Sequence, residues 1–212
     1  WFLLVAATAQ PQWLGEPLEL PVSGRDPVLA VDLSGSMKTR DFVLEGETVD
    51  RLTALKSVAV EFIRRRQGDR LGLILFADQA YVQTPLTFDR QTVELLLSEA
   101  VLGLAGEKTA IGDAIGLAVK RLQSAESKQR ILVLLTDGAN TAGQVSPLKA
   151  AELAARQGLK IYTVGIGADE MTVGSFFFER KVNPSADLDE KSLRAIAEQT
   201  GGRYFRARDT AE

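Results

Sequence analysis

The chain has 212 residues, with 25 Lys and Arg against 28 Asp and Glu and a formal net charge of -3. This length supplies one sizeable core, and the slightly acidic balance argues against a nucleic-acid binder. With no cysteine and no histidine, there can be no Cys or His nucleophile or base, no Ser-His-Asp triad and no ordinary zinc site, and the redox compartment is left unmarked.

Trp1 to Ala9 is almost wholly apolar and is followed by Gln-Pro-Gln-Trp13, with no initiator Met. Nine residues cannot span a bilayer, which takes about 20. The run reads as the last half of a membrane helix with Trp13 at the interface, as the tail of a signal peptide ending at Ala7-Thr-Ala9, or as a core segment. Residues 1–13 are accordingly set apart from a single domain over 14–212. Val28-Leu-Ala-Val31 is a short apolar run of the kind expected of a parallel strand covered on both faces, and Gly35 marks the turn after it. Lys38 to Asp50 is polar and acidic and is expected to be a loop. Leu52, Leu55, Val58, Ala59, Phe62 and Ile63 recur at helical spacing, and Gly68 ends that helix. Arg64-Arg-Arg66 is then its cationic last turn, opposing the helix dipole.

Leu71 to Phe76 predicts the next buried strand, Ala80 to Val82 a short edge strand that Pro85 breaks, and Thr92 to Ala100 a short helix. Thr109 opens a helix whose Ile111, Ala114, Ile115, Ala118, Val119 and Leu122 share one face. Ile131 to Leu135 is a second fully apolar strand, Leu148 to Arg156 a helix and Ile161 to Val164 a strand leaving through Gly165-Ile-Gly167. Ala168 to Ala186 is irregular and carries Phe176-Phe-Phe178, expected in a hairpin-like insertion that serves either partner contact or cover for a sheet edge. Asp187-Leu-Asp-Glu190 has capping-box spacing before a helix through Glu198, and Tyr204-Phe205 forms the last strand. Strands alternating with helices imply a doubly wound, mostly parallel sheet, with the strands at Val28, Leu71 and Ile131 at its centre.

The chemistry gathers at strand ends. Asp32, Ser34 and Ser36 follow the first strand two residues apart, so one carboxylate and two hydroxyls project to the same side. Such an oxygen set suits a hard cation such as Mg²⁺, with Mn²⁺ and Ca²⁺ as alternatives; the competing reading is a capped turn. Thr109 and Asp137 stand at the ends of two further loops. Thr109 could equally be an N-cap, and Asp113 could either reach the site or favour the positive helix end. Two carboxylates about 6 Å apart repel by roughly 3 kcal/mol at an effective dielectric near 20, a strain that a divalent ion relieves.

Asp-x-Ser-x-Ser after a hydrophobic strand, with Thr109 in Gly106-Glu-Lys-Thr-Ala-Ile-Gly-Asp113 and Asp137 in Leu134-Leu-Thr-Asp-Gly-Ala-Asn140, resembles the metal-ion-dependent adhesion site of von Willebrand factor A domains. Further segments extend the likeness: Arg70-Leu-Gly-Leu-Ile-Leu-Phe76, Pro85-Leu-Thr87 and Gly201-Gly-Arg-Tyr-Phe-Arg206 resemble the BatA/BatB group, membrane-anchored bacterial proteins encoded with MoxR-type AAA+ ATPases and named for aerotolerance. The resemblance implies a Rossmann-like α/β fold with one antiparallel edge strand. It implies a metal held by Asp32, Ser34, Ser36, Thr109 and Asp137, and a partner protein that supplies an Asp or Glu to that metal. Sibling Bat proteins and a MoxR-type ATPase are the implied partners. The implied location is the bacterial inner membrane, with the domain on the periplasmic face and the cytoplasmic face as the alternative.

Enzymatic readings fare less well. A haloacid-dehalogenase-like phosphatase needs a second Asp where Ser34 stands, a P-loop needs Gly where Glu107 stands, and Gly165-x-Gly167 lacks the third glycine of a dinucleotide fold. A metal-dependent hydrolase is the alternative that is left, and no obvious general base accompanies it.

Overall fold

The computed structural model describes Trp1 and residues 24–44, 46–123, 129–167, 171–175, 178–182 and 188–207. In chain order the elements are β1 (Asp26–Asp32), a 3-10 turn (Gly35–Lys38), β2 (Phe42–Leu44), β3 (Glu47–Val49), α1 (Arg51–Arg64), β4 (Leu71–Phe76), β5 (Ala80–Thr87), α2 (Arg90–Ser98), α3 (Ile111–Leu122), β6 (Arg130–Thr136), α4 (Pro147–Arg156), β7 (Lys160–Ile166), β8 (Met171–Ser175), β9 (Phe178–Val182), α5 (Glu190–Gln199) and β10 (Tyr204–Ala207). Six strands form one sheet in the order β10-β7-β6-β1-β4-β5. All neighbours run parallel except β5, which is antiparallel to β4 at the edge. The architecture is the Rossmann-like one expected, with β1, β4 and β6 inside the sheet.

The all-apolar strands have a simple cause. Every residue of β1 is buried. Val28 and Ala30 face one core, with Ile115, Ala118, Ala151 and Ile196 from α3, α4 and α5. Leu29 and Val31 face the other, with Leu55, Ile63, Val93 and Leu97 from α1 and α2. Period-two alternation thus feeds two cores, which is why polar residues are missing from both sets. Helix starts are set by aspartates: Asp50, Asp89 and Asp189 accept from the backbone N–H of Thr53, Thr92 and Ser192 at 2.8, 3.0 and 3.0 Å.

Some local expectations are corrected. The stretch expected to be a loop after Lys38 contains the β2–β3 hairpin, with Phe42 opposite Val49 and its side chain in the core. β5 runs on through Pro85 to Thr87, because an edge strand has one unpaired side and the ladder is irregular between Leu71 and Ile74. The cap of α5 is Asp189, with Asp187 outside the described residues. Arg64 lies in the last turn of α1 and Arg65 is its C-cap, as expected of a cationic helix end; Arg64 pairs with Glu94, Arg65 with Glu61, and the Arg66 guanidinium lies 4.3 Å over the Phe62 ring. β8 and β9 form an antiparallel hairpin where the insertion was expected. Phe176 and Phe177 lie outside the described residues, as does the apolar segment after Trp1.

Candidate metal centre

From β1 the chain runs through the β2–β3 hairpin and α1 to β4 on one side, and from β5 it returns through α2 and α3 to β6 on the other side of β1. That reversal opens a crevice at the carboxyl edge of the sheet, where open α/β sheets bind ligands. Parallel register sets Val31 beside Leu135, so the strand ends carry Asp32 and Thr136 into contact. Asp32 Oδ1 accepts from the Ser34 N–H at 2.8 Å, an Asx turn, and its Oδ2 accepts from the Thr136 hydroxyl at 2.5 Å. Ser34 Oγ lies 3.1 Å from Ser36 Oγ, and the Ser36 hydroxyl donates to Asp137 Oδ1 at 2.6 Å. Four of the five expected site residues are therefore joined in one hydrogen-bonded chain.

Thr109 is the fifth. It precedes α3, whose N-cap is Ala110 and makes no side-chain cap, so the N-cap reading does not hold. The Thr109 N–H donates to Thr141 Oγ1 at 2.9 Å, and its carbonyl accepts from the N–H groups of Thr141 and Ala142 at 2.9 and 3.1 Å. A Cβ placed on Gly138 would lie 3.7 Å from both Ser36 Oγ and Thr109 Oγ1, so both hydroxyls lie beside that glycine, in the same neighbourhood. Gly35 N–H donates to the Glu107 carbonyl at 2.9 Å, which ties the first loop to the second. Asp113 does not join the site; it accepts from the N–H groups of Gln144 and Val145 and holds the loop before α4.

Sequence reasoning missed Arg51, Asp41, Thr136 and Asn140. Arg51 Nη1 donates to Asp137 Oδ2 at 2.6 Å, while its Nε and Nη2 grip Asp41 at 3.0 and 2.6 Å. Arg51 is 2% exposed. One signal was available: Arg51 lies on the helix stripe that continues through Leu55, and a charge there implies a buried partner. Asn140 Oδ1 accepts from Ile111 N–H at 2.8 Å and caps α3 from a different loop, a pairing that sequence spacing does not reveal.

The electrostatics are those of a cation site. Burial pushes the Asp32 carboxyl up to about 7, opposed by the Thr136 hydrogen bond and reinforced by the charge of Asp137. Burial raises Asp137 as well, offset by hydrogen bonds from Ser36 and Arg51. Burial works against the charge on Arg51, and its bonds to Asp41 and Asp137 outweigh it. All five donors are oxygens, two anionic and three neutral, and a divalent ion fits that set. Among the described residues no three Asp, Glu, His or Cys side chains cluster as metal ligands, and a cation held at these loops would need the hydroxyl oxygens as well. A cleft of about 750 Å³ between α1 and α2 shares no residue with these loops, so cleft size alone does not locate the site.

Comparisons with known proteins agree with this geometry. The von Willebrand factor type A domain family matches residues 26–212. An uncharacterized protein of Borreliella burgdorferi is 29% identical over 217 residues, covering 98% of this chain and 61% of that protein. The chain therefore spans less than two thirds of that curated relative. The solved structure of an aerotolerance-related membrane protein from Bacteroides fragilis is 28% identical with a TM-score of 0.73, covering 88% of this chain and 93% of that one. BatB from Bacteroides thetaiotaomicron is 27% identical with a TM-score of 0.72, covering 88% and 91%. On the sheet order, the loop geometry and the extent of the match, the chain belongs to the von Willebrand factor type A domain family.

Proposed function

We propose that this domain is a metal-dependent protein-interaction module, in which Asp32, Ser34, Ser36, Thr109 and Asp137 hold Mg²⁺ and a protein partner contributes an Asp or Glu. The observation that carries the reading is the hydrogen-bonded chain Thr136, Asp32, Ser34, Ser36, Asp137 at the carboxyl edge of the sheet. Two carboxylates match the charge of one divalent ion, and the three hydroxyls add none. When bound, the ion supplies an electrophile with room for one more carboxylate. Asp32 and Asp137 set the charge of the site, Ser34 and Ser36 orient oxygens toward it, and Thr109 closes it from the second loop.

The domain is not an enzyme in this reading. Both oxygens of Asp32 already accept hydrogen bonds from the protein frame, which suits a carboxylate that sets the charge of a cation site better than one that takes a proton from a substrate. Similarity to an aerotolerance-related membrane protein and to BatB supports a Bat-type role. We assign as partners sibling Bat proteins and a MoxR-type AAA+ ATPase, and as location the inner membrane with the domain in the periplasm. No helix among the described residues is long and apolar enough to cross a membrane.

Titration calorimetry with Mg²⁺, Mn²⁺ and Ca²⁺, paired with capture from membranes with and without EDTA, tests this function. Metal binding and partner capture are both expected to vanish in Asp32→Ala. Capture that ignores EDTA and survives Asp32→Ala refutes the proposal.

A further inference from the structure

Arg51 is an expensive residue to bury. Its side chain is 3% exposed and those of Asp41 and Asp137 are 0% exposed, so three charges have left water together. Such groups are often no more stabilising than an apolar side chain of similar size. Helix α1 has other anchors: Asp50 caps it, and Leu52, Leu55, Ala59 and Ile63 bury its apolar face.

What the arrangement supplies is geometry. Asp41 takes the Nε and Nη2 edge of the guanidinium, at 3.0 and 2.6 Å, and this fork fixes the plane of the group. Nη1 is then aimed at Asp137 Oδ2, 2.6 Å away. The other oxygen, Oδ1, accepts from the Ser36 hydroxyl at 2.6 Å. One oxygen of Asp137 is thereby committed to the protein frame and the other is turned toward the hydroxyl loop. Asp41 lies beside the β2–β3 hairpin and Arg51 opens α1, so the orientation of Asp137 on the third loop is set by the segment that follows the first.

We infer that Arg51, braced by Asp41, is a positioning pair that holds Asp137 in its metal-receiving orientation. The inference rests on the metal reading of Asp32, Ser34, Ser36, Thr109 and Asp137. Charge alone does not explain the pair, because the ionised groups Asp32, Asp137, Asp41 and Arg51 sum to -2, and replacing Asp41 by Asn and Arg51 by Met together leaves the same -2. That double variant removes the fork and keeps the field. Arg51→Lys keeps the charge in place but replaces a planar fork with a point donor that cannot bridge two carboxylates in fixed planes.

The test is a Mn²⁺ titration of the whole chain followed by electron paramagnetic resonance. Wild type, Arg51→Lys, Asp41→Asn/Arg51→Met and Asp32→Ala are compared, with melting in EDTA as the measure of folding. Both Arg51 variants are expected to melt cooperatively and to bind Mn²⁺ roughly 10- to 100-fold more weakly, the usual effect of removing the group that orients a metal ligand. Affinity within twofold of wild type in either folded variant overturns the inference and leaves the metal site standing. Arg51→Lys leaves both carboxylates with a cation nearby, and it decides the matter alone if the double variant does not fold. Absence of Mn²⁺ binding by wild type, or undiminished binding by Asp32→Ala, overturns the inference together with the site on which it rests.

Discussion

Burial of Asp32 would make metal binding at the proposed site depend on pH. In the unfolded chain Asp32 titrates near its ordinary value of 3.8, and in the metal-free fold near 7, with burial the main cause. Between those values the folded protein holds a proton that the unfolded chain has released. Metal-free stability therefore is highest below the unfolded value, falls as pH rises from about 4 to about 7, and has lost this contribution above 7. Three pKa units at 1.36 kcal/mol each set a ceiling of about 4 kcal/mol. A divalent ion requires the ionised carboxylate, so its apparent affinity should drop about fivefold between pH 7 and pH 6, approach about a tenfold loss per pH unit below that, and change little from pH 8 upward. Asp32→Asn is the matched control: its carbonyl can accept from Ser34 N–H and its amide can donate to the Thr136 oxygen, so shape is kept while charge is lost. The assay is thermal melting at pH 5, 6, 7 and 8 in EDTA and in saturating Mg²⁺. Wild type should gain most from Mg²⁺ at pH 8, and Asp32→Asn should gain nothing and be the more stable protein in EDTA at pH 8. A Mg²⁺ gain equal at pH 5 and pH 8, or wild-type stability in EDTA that rises through this window while Asp32→Asn stays level, refutes the reasoning.

Other substitutions probe the frame around the site. Thr109→Ala keeps the backbone bonds to Thr141 and Ala142, so melting should move by less than about 1 kcal/mol while affinity for an acidic partner in Mg²⁺ falls roughly tenfold by calorimetry; unchanged affinity removes Thr109 from the site. Asn140→Ala deprives the Ile111 N–H of its acceptor and should cost about 1–2 kcal/mol in urea denaturation, the worth of an N-cap. Two glycines of α3 should respond with opposite signs. A Cβ on Gly112 meets the backbone carbonyl of Val145, whereas one on Gly116 meets nothing within 4 Å. Gly112→Ala should lose about 1–3 kcal/mol and Gly116→Ala should gain up to about 1 kcal/mol, both read from denaturation midpoints.

The central strands were legible because burial on both faces writes itself into composition: Val28 to Val31 and Ile131 to Leu135 have no polar residue to conceal their role. Asp32, Ser34 and Ser36 could be seen for a related reason, since hydroxyls and a carboxylate directly after such a strand stand at the sheet edge. The β2–β3 hairpin could not, because three-residue strands are too short for a period to show. Pro85 misled because a rule about ladders depends on whether a strand is central or at the edge, and that is fixed by the whole sheet. Asn140 and Thr136 act on residues 29 and 104 positions away. Contacts of that kind are set by topology, which spacing along the chain does not encode.

The same topology explains why a site with few charges can still be specific. The loop after β1 is held on both flanks: Leu33 N–H donates to the Phe76 carbonyl at the end of β4, and Asp32 accepts from Thr136 at the end of β6. It is also tied to the second loop through Gly35 and Glu107, and the second loop is tied to the third through Thr109 and Thr141. Backbone in all three loops is thus fixed by bonds that involve none of the metal-directed side-chain oxygens except those of Asp32. What remains adjustable is the rotation of the Ser34, Ser36 and Thr109 hydroxyls, each a single soft torsion. On the proposed function, a partner carboxylate arriving at such a site would reorient hydroxyls without reorganising the sheet, so ordering would cost little. On the same proposal, selectivity would follow from the fixed carboxylates, which set how much charge the site accepts, and the rigid frame would make that charge the quantity a partner must match.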